Sequence, residues 1–402
     1  MRTRRLSLAF AILPLALYAY ACSSSDSSDD PNVIDEDAGD GQDAANEAST
    51  TDANEDTGGD GATPDAGDAG DAGDAGAGDA GDAGDAGDAG DAGVDPSCVG
   101  NPLTADGQTP AGGYDVPAAE VTELPINGLN LATSFFDGPQ WVDAYGGALI
   151  FSQLYSAPPA VYRVPAAGGA ATVVRSASTN TLAIGNAATA TDLLTTFAGA
   201  APGIAKTTLA TGAAGTTQAI GGSTNPNDLV VSGTNNIYFT DPQYQSDPAG
   251  VTGLYRVSPA GVVTSIETFN ANAVNRLNGI ALTDDDSTLY VSNTDALRIR
   301  KYAVAAAGTV TLTTANFITT LAPPDGLAVD KAGNIWVAEA SAGDANSGRV
   351  EVYDKAGQLL GQIVFADQRP TGVAFGGADD KTVFITAEDG IFKYTTRCAG
   401  VR

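Results

Sequence analysis

The sequence predicts an all-β domain, a six-bladed β-propeller, from three observations. Short β-rich runs are broken by Gly, Asn, Asp and Pro, one hexapeptide returns six times, and further β-runs follow each return. The hexapeptide reads FDGPQW (136–141), TNTLAI (179–184), PNDLVV (226–231), LNGIAL (277–282), PDGLAV (324–329) and PTGVAF (370–375). Its second residue recurs every 43 to 51 residues, at 137, 180, 227, 278, 325 and 371. A second run follows each time (GALIFSQ, TDLLTTF, NNIYFTD, STLYVSN, GNIWVAE, KTVFITA), then a third such as AVYRVPA or GLYRVSP, and five units continue into a fourth. Four short strands per period is the pattern of a propeller blade. The sixth unit stops at Thr396 after three strands, so the segment around Val121 to Ile126 is expected to supply the missing outer strand and close the ring.

The chain before this domain reads as an address and a spacer. Arg2, Arg4 and Arg5 precede an apolar run from Leu6 to Ala21, the layout of a secretory signal peptide over residues 1–21. The run ends Ala19-Tyr20-Ala21-Cys22, similar to a bacterial lipobox in which Cys22 is lipidated. Ordinary cleavage at the same small residues is the alternative. Residues 22–97 form an Asp/Ala/Gly-rich linker. Between Ser23 and Pro96 it has 23 acidic residues, no Lys or Arg and no aromatic residue. Such a segment buries too little apolar surface to offset its ordering entropy and is expected to be disordered and extended by self-repulsion. Its Asp-Ala-Gly triplets lack the proline of collagen and the bulky apolar residue of calcium-binding β-rolls, so a solvated stalk is the reading.

From Ser97 onward the chain carries 26 acidic and 16 basic residues, mildly acidic and unsuited to nucleic acid. The propeller spans 98–398, with a cysteine at each limit. Once Cys22 is lipidated, Cys98 and Cys398 remain, and in an oxidising compartment they would pin the ends of the ring together. Free thiols are the alternative. The exported protein is placed at the cell envelope, on its periplasmic or cell-surface face, held by its lipid and otherwise monomeric.

The 402 residues contain no histidine. That removes Ser-His and Cys-His nucleophile pairs and His-ligated zinc, leaving carboxylates, amides, hydroxyls or an oxygen-bound metal. The first strand of a propeller blade lines the central channel, so the recurring second residues Asp137, Asn180, Asn227, Asn278, Asp325 and Thr371 are expected at one mouth. That ring is rich in oxygen and suits a hard cation. Local Asx turns are the competing explanation for such residues at strand starts. Trp141, Trp336, Tyr244 and Tyr255 could wall a substrate, although aromatics in such strands more often pack between blades, and Asp284–Asp286 reads as a solvated turn.

The stretches PNDLVV…IYFTDPQY (226–244), LNGIAL…TLYVSNT (277–294), PDGLAVDKAGNIWVAE (324–339) and VAFGGADDKTVFITA (373–387) resemble the family of gluconolactonases, senescence marker protein and luciferin-regenerating enzyme over roughly residues 124–394. The resemblance implies one divalent metal, calcium first, with magnesium, zinc or manganese as alternatives, held by Asp137, Asn278 and Asp325. It implies that Asn227 contacts the substrate or completes the metal shell; Asn180 and Thr371 are further substrate contacts proposed from the ring. By the same resemblance the metal polarises the carbonyl of a lactone or sugar-derived cyclic ester, and Asp325 is the candidate base. Three positions depart from the family: Asp137 stands where Glu is usual, Asn225 where an Arg is common, and Gly372 where an Asn is common. These departures fit a changed substrate. They also fit a non-catalytic envelope propeller that binds a sugar, a peptide or a protein.

Overall fold

The computed structural model describes residues 95–131, 134–155, 158–177, 181–244, 251–270, 275–340, 348–365 and 368–402. The leader, Cys22, almost all of the linker and Asn180 lie outside the described residues.

Six sheets form six blades. Blade one comprises Phe136–Val142, Ala148–Gln153, Ala160–Pro165 and Thr172–Ser176; blade two comprises Thr181–Ala188, Asp192–Gly199, Gly203–Thr208 and Ala214–Gln218. Blade three comprises Leu229–Val231, Ile237–Asp241, Val251–Val257 and Val263–Asn270; blade four comprises Leu277–Leu282, Thr288–Asn293, Arg298–Val304 and Val310–Thr319. Blade five comprises Pro324–Val329, Ile335–Glu339, Gly348–Tyr353 and Leu359–Phe365, and blade six Pro370–Gly376, Thr382–Ala387 and Ile391–Thr395. The innermost strand of each blade touches that of the next, and the last touches the first, so the ring is closed.

Period-two alternation is what turns each sheet into a blade. In blade four, Leu289 and Val291 point into the apolar layer shared with blade three, whereas Tyr290 between them points into the layer shared with blade five. Tyr238 and Phe239 divide in the same way between blades four and two. The core is therefore six inter-blade layers. Trp141 stacks on Phe384 across the seam of blades one and six, Trp336 meets Phe375 edge-on between five and six, and Tyr255 stacks on Phe239. These three aromatics pack between or within blades, which leaves Tyr244 as the member of that set at the mouth.

The ring closes through the N-terminal segment. Thr122–Glu123 pairs antiparallel with Ile391–Thr395 as the fourth strand of blade six. Two further short pairings extend the closure: Ile126–Asn127 lies parallel to Gly169–Ala170, and Tyr114–Asp115 adds a fifth, parallel strand to blade five. Cys98 and Cys398 are buried and stand sulfur to sulfur, with Cα atoms 4.4 Å apart, at this junction. Beside them, Tyr394 Oη donates to the Leu103 carbonyl and Thr396 Oγ1 to that of Pro102. Asp284–Asp286 is a turn, in which Asp285 accepts from Thr283 and Ser287.

Candidate active site at the channel mouth

Every inner strand except that of blade three carries a register shift near its start. The ladder slips between Asp137 and Gln140, between Leu277 and Ile280, between Pro324 and Leu327, and between Pro370 and Gly372. A bulge of this kind lets one strand turn a side chain away from its regular face. The residues after the bulge positions are packed so closely that only glycine fits most of them. A Cβ on Gly279 would lie 2.1 Å from the Asp325 carbonyl oxygen, one on Gly138 2.2 Å from that of Ile184, one on Gly185 2.5 Å from that of Asn227, and one on Gly326 2.7 Å from that of Thr371. Each glycine thus rests on the corresponding residue of the following blade, which places Asp137, Ile184, Asn227, Asn278, Asp325 and Thr371 in one layer around the channel.

This layer corrects the expectation for blade two. The member in register is Ile184, four residues beyond Asn180. The blade-two ladder slips between Ala183 and Asn186, matching the slip around Asn278. Gly185 N–H donates to the Thr196 hydroxyl as Gly279 N–H does to Ser292. The Thr-Asn-Thr tripeptide imitates the motif by composition, while the glycine that the packing demands lies farther on.

Asn278 is the centre of the polar half. Its Nδ2 donates to Asp325 Oδ1 at 2.7 Å, to Tyr244 Oη at 3.1 Å and to Thr294 Oγ1 at 3.3 Å. Thr294 is itself held by the Pro324 carbonyl. The amide is therefore fixed in orientation, and its Oδ1 is buried without a hydrogen-bond partner. Asp137 is buried and accepts from the Gly138 N–H. Burial, and then the charges of Asp325 and Asp228, push the Asp137 carboxyl well above the usual carboxylate range. Burial raises Asp325 to about 7, against the favourable charge of Arg369. Among the described residues no three His, Cys, Asp or Glu side chains gather as a metal-binding group. The candidate donor set is two carboxylates and one amide oxygen, and the buried, orphaned Asn278 Oδ1 fits it to a hard cation.

Other residues divide between site and scaffold. Asn227 is buried in the same layer, its carbonyl taken by Gly185 N–H and the Thr196 hydroxyl. Thr371 is corrected to a structural role: it is fully buried, and its hydroxyl donates to the Phe136 carbonyl at 2.6 Å while accepting from Thr386 Oγ1 at 2.9 Å, latching blade six to blade one. The same latch recurs where Ser292 Oγ donates to the Asp325 carbonyl and Thr240 Oγ1 to that of Asn278. Asp228 escaped the sequence reading. Burial raises it to about 7, and it accepts from Leu229 N–H and, across the blade boundary, from Ile280 N–H. With Asp137, Asn186 and Gly326 it lines a channel cavity of about 520 Å³.

Arg369 also escaped. It pairs with Glu388 at 2.8 Å, while its Nε is buried and unpartnered. Arg369, Arg276 and Asn225 each stand two residues before a layer residue, and that shared offset is the signal that could have found them. Asn225 is buried, its backbone N–H donating to Asp241 and its side-chain amide to Thr224 Oγ1. Gly372 has no room for a side chain, because a Cβ there would lie 2.4 Å from Pro139 Cδ.

The mouth is apolar on the side of blades one and two. Ile184 packs with Leu154, Ala198, Phe135 and Leu182. Tyr155 meets Phe135 edge-on at 5.5 Å and is 66% exposed. The surrounding protein, and then the charge of Asp137, raise the Tyr155 phenol above its ordinary value.

Residues 137–389 match the model of the SMP-30/Gluconolactonase/LRE-like region. A gluconolactonase of Zymomonas mobilis is 32% identical over 194 residues, 44% of this chain and 51% of that protein. The chain thus spans about half the length of that curated relative. Among solved structures, a gluconolactonase of Xanthomonas campestris superposes with a TM-score of 0.53 at 24% identity, covering 66% of this chain and 86% of that one. Regucalcin of Agrobacterium tumefaciens, described as a calcium-binding protein, does so with a TM-score of 0.51 at 16% identity, covering 66% and 92%. At these identities the two structures share the fold. With residues 137–389, more than half of its length, matched by that model, the chain belongs to the SMP-30/gluconolactonase/LRE-like family.

Proposed function

We propose that the chain is a metal-dependent hydrolase that opens a lactone ring at this mouth. The observation that carries the reading is the Asn278 side chain, whose amide is tied to Asp325, Tyr244 and Thr294 and whose buried Oδ1 has no donor. Leaving a buried acceptor unpaired costs about 1–3 kcal/mol. Two carboxylates held out of water in the same layer add to that cost. A divalent cation on Asp137, Asn278 and Asp325, with Asn227 beside it, would offset both, calcium being the first choice and magnesium, zinc or manganese the alternatives. When bound, the cation supplies the positive charge that polarises a carbonyl and acidifies water.

The chain's own groups would do the rest. Asp325, with Arg369 favouring its ionised form, takes a proton from the water that attacks the lactone carbonyl carbon. The ring C–O bond then breaks, the ring oxygen takes up that proton, and a hydroxy acid leaves. Tyr244 and Thr294 keep the Asn278 amide from rotating. We also read the protein as exported, lipid-anchored through Cys22, with Cys98 and Cys398 joined as a disulfide.

A second reading is a binding propeller without turnover, favoured by Asn225, which is buried and engaged where a charged substrate contact would be expected. The test is proton release by the full chain on a lactone panel, with each of the four cations and with chelator. Chelator-sensitive turnover that disappears in Asp325→Ala supports the hydrolase. Tight metal binding without turnover of any lactone sinks it and leaves the binding propeller.

A further inference from the structure

We infer that the site selects lactones carrying an apolar substituent and rejects polyhydroxylated ones, with Ile184 and Tyr155 as the residues that decide. The inference rests on the lactonase reading and narrows its substrate class. Its first support is position. Ile184 occupies the bulge that presents Asn278 in blade four and Asp137 in blade one, so an aliphatic side chain stands where the layer elsewhere offers a polar one. Its second support is continuity. Leu154, Phe135 and Leu182 surround Ile184, and the Phe135–Tyr155 edge-on pair extends the apolar surface outward from them. Tyr155 is among the most exposed large hydrophobic side chains of the described residues, and its ring is held against Phe135 of that cluster.

The third support is the state of the nearby polar groups. Gln153 Nε2 donates to Ser134 Oγ, Ser134 donates to the Asn130 carbonyl, and the Asn225 side-chain amide donates to Thr224 Oγ1. Substrate hydroxyls pressed against Ile184 and Leu154 would exchange water for carbon and lose their partners, which is unfavourable. An alkyl chain in the same place gains by leaving water. A single methylene in such a pocket changes discrimination about 10- to 200-fold.

Three lactones with the same six-membered ring separate these effects: δ-valerolactone (bare ring), δ-decanolactone (pentyl chain) and glucono-1,5-lactone (hydroxyls). For the metal-loaded full chain, kcat/KM for δ-decanolactone should exceed that for δ-valerolactone by about tenfold or more, chiefly through KM, and glucono-1,5-lactone should be the poorest. Tyr155→Ser and Ile184→Ala should each reduce the decanolactone-to-valerolactone ratio by about tenfold. Val262→Ser, an exposed apolar residue in the turn between the outer strands of blade three, should leave the ratio unchanged. Tyr155 is exposed, so its variant keeps the test valid even if Ile184→Ala folds poorly. A preference for glucono-1,5-lactone, or a ratio unmoved by Tyr155→Ser, overturns the inference. If no lactone turns over, the hydrolase reading fails separately, and calorimetric binding of the same three compounds decides. Tighter δ-decanolactone binding that weakens in Tyr155→Ser supports the apolar wall, and equal binding of all three overturns it.

Discussion

Asn278 of blade four and Ile184 of blade two sit on the same kind of backbone bulge, each followed by a glycine that packs on the next blade, and stand two blades apart around one channel. Around Asn278 the neighbours are Asp325, Tyr244 and Thr294, joined by hydrogen bonds and leaving one acceptor unspent. Around Ile184 they are Leu154, Phe135 and Leu182, joined by contact alone. One scaffold thus places a fixed polar set and an apolar cluster in the same layer around one channel. The repeat sets where a side chain stands, and the neighbouring blade sets what it can do there.

The largest expected effect breaks the polar half. Asp325→Ala should lower kcat for any lactone the protein opens by about 10²- to 10⁴-fold, the range of a general base, with the rate of proton release as the readout. Next, Ile184→Ala should cost about 2–5 kcal/mol of stability, because a fully packed aliphatic group is lost, while the rise in thermal midpoint on adding calcium persists. In Asn278→Ala that calcium-induced rise should vanish. Identical metal responses from the two variants would dissolve the distinction between the halves.

Changes at the ring closure should spare both halves. Cys98→Ser with Cys398→Ser should lower stability by about 2–5 kcal/mol in urea unfolding, since the pair encloses nearly the whole ring. Thr371→Val should cost about 1–3 kcal/mol by orphaning the Phe136 carbonyl, with metal affinity unchanged. Loss of metal binding in Thr371→Val would return that residue to the site.

A pH dependence sharpens the polar half further. Asp228 and Asp325 have carboxyls raised by burial to about 7, above the ordinary value of 3.8. The metal-free folded state then holds more protons than the unfolded chain between those values. Their protonated stability is fully present below about pH 4 and is lost as pH rises through about 7. In chelator, the thermal midpoint should therefore fall between pH 5 and pH 8, and Asp228→Asn should shrink the fall. A flat profile would mean that these carboxyls titrate normally.

Much of this was legible in residue order. Hydrophobic alternation and six spaced repeats specify six blades, and a three-stranded last unit specifies closure by the N-terminal segment, which pairs at Thr122–Glu123. The Asn278 and Asp325 positions were legible because Asn-Gly and Asp-Gly mark a bulge followed by close backbone contact. Blade two was misaligned because Thr179-Asn180-Thr181 has the polar composition of the motif, whereas the residue that matters is the glycine that packs, Gly185.

Composition and period alone determined the propeller, the absence of any imidazole and the layer shared by the inner strands, because these depend on strand alternation and on which functional groups the chain possesses. Only the tertiary structure decided that the Thr371 hydroxyl is spent on blade one, that Asp228 bonds across a blade boundary to Ile280, and that Ile184 stands in the layer with an apolar cluster around it. The reason is physical: a side chain's hydrogen-bond partners and burial come from the adjacent blade, some 45 residues away in sequence, and no local pattern records them.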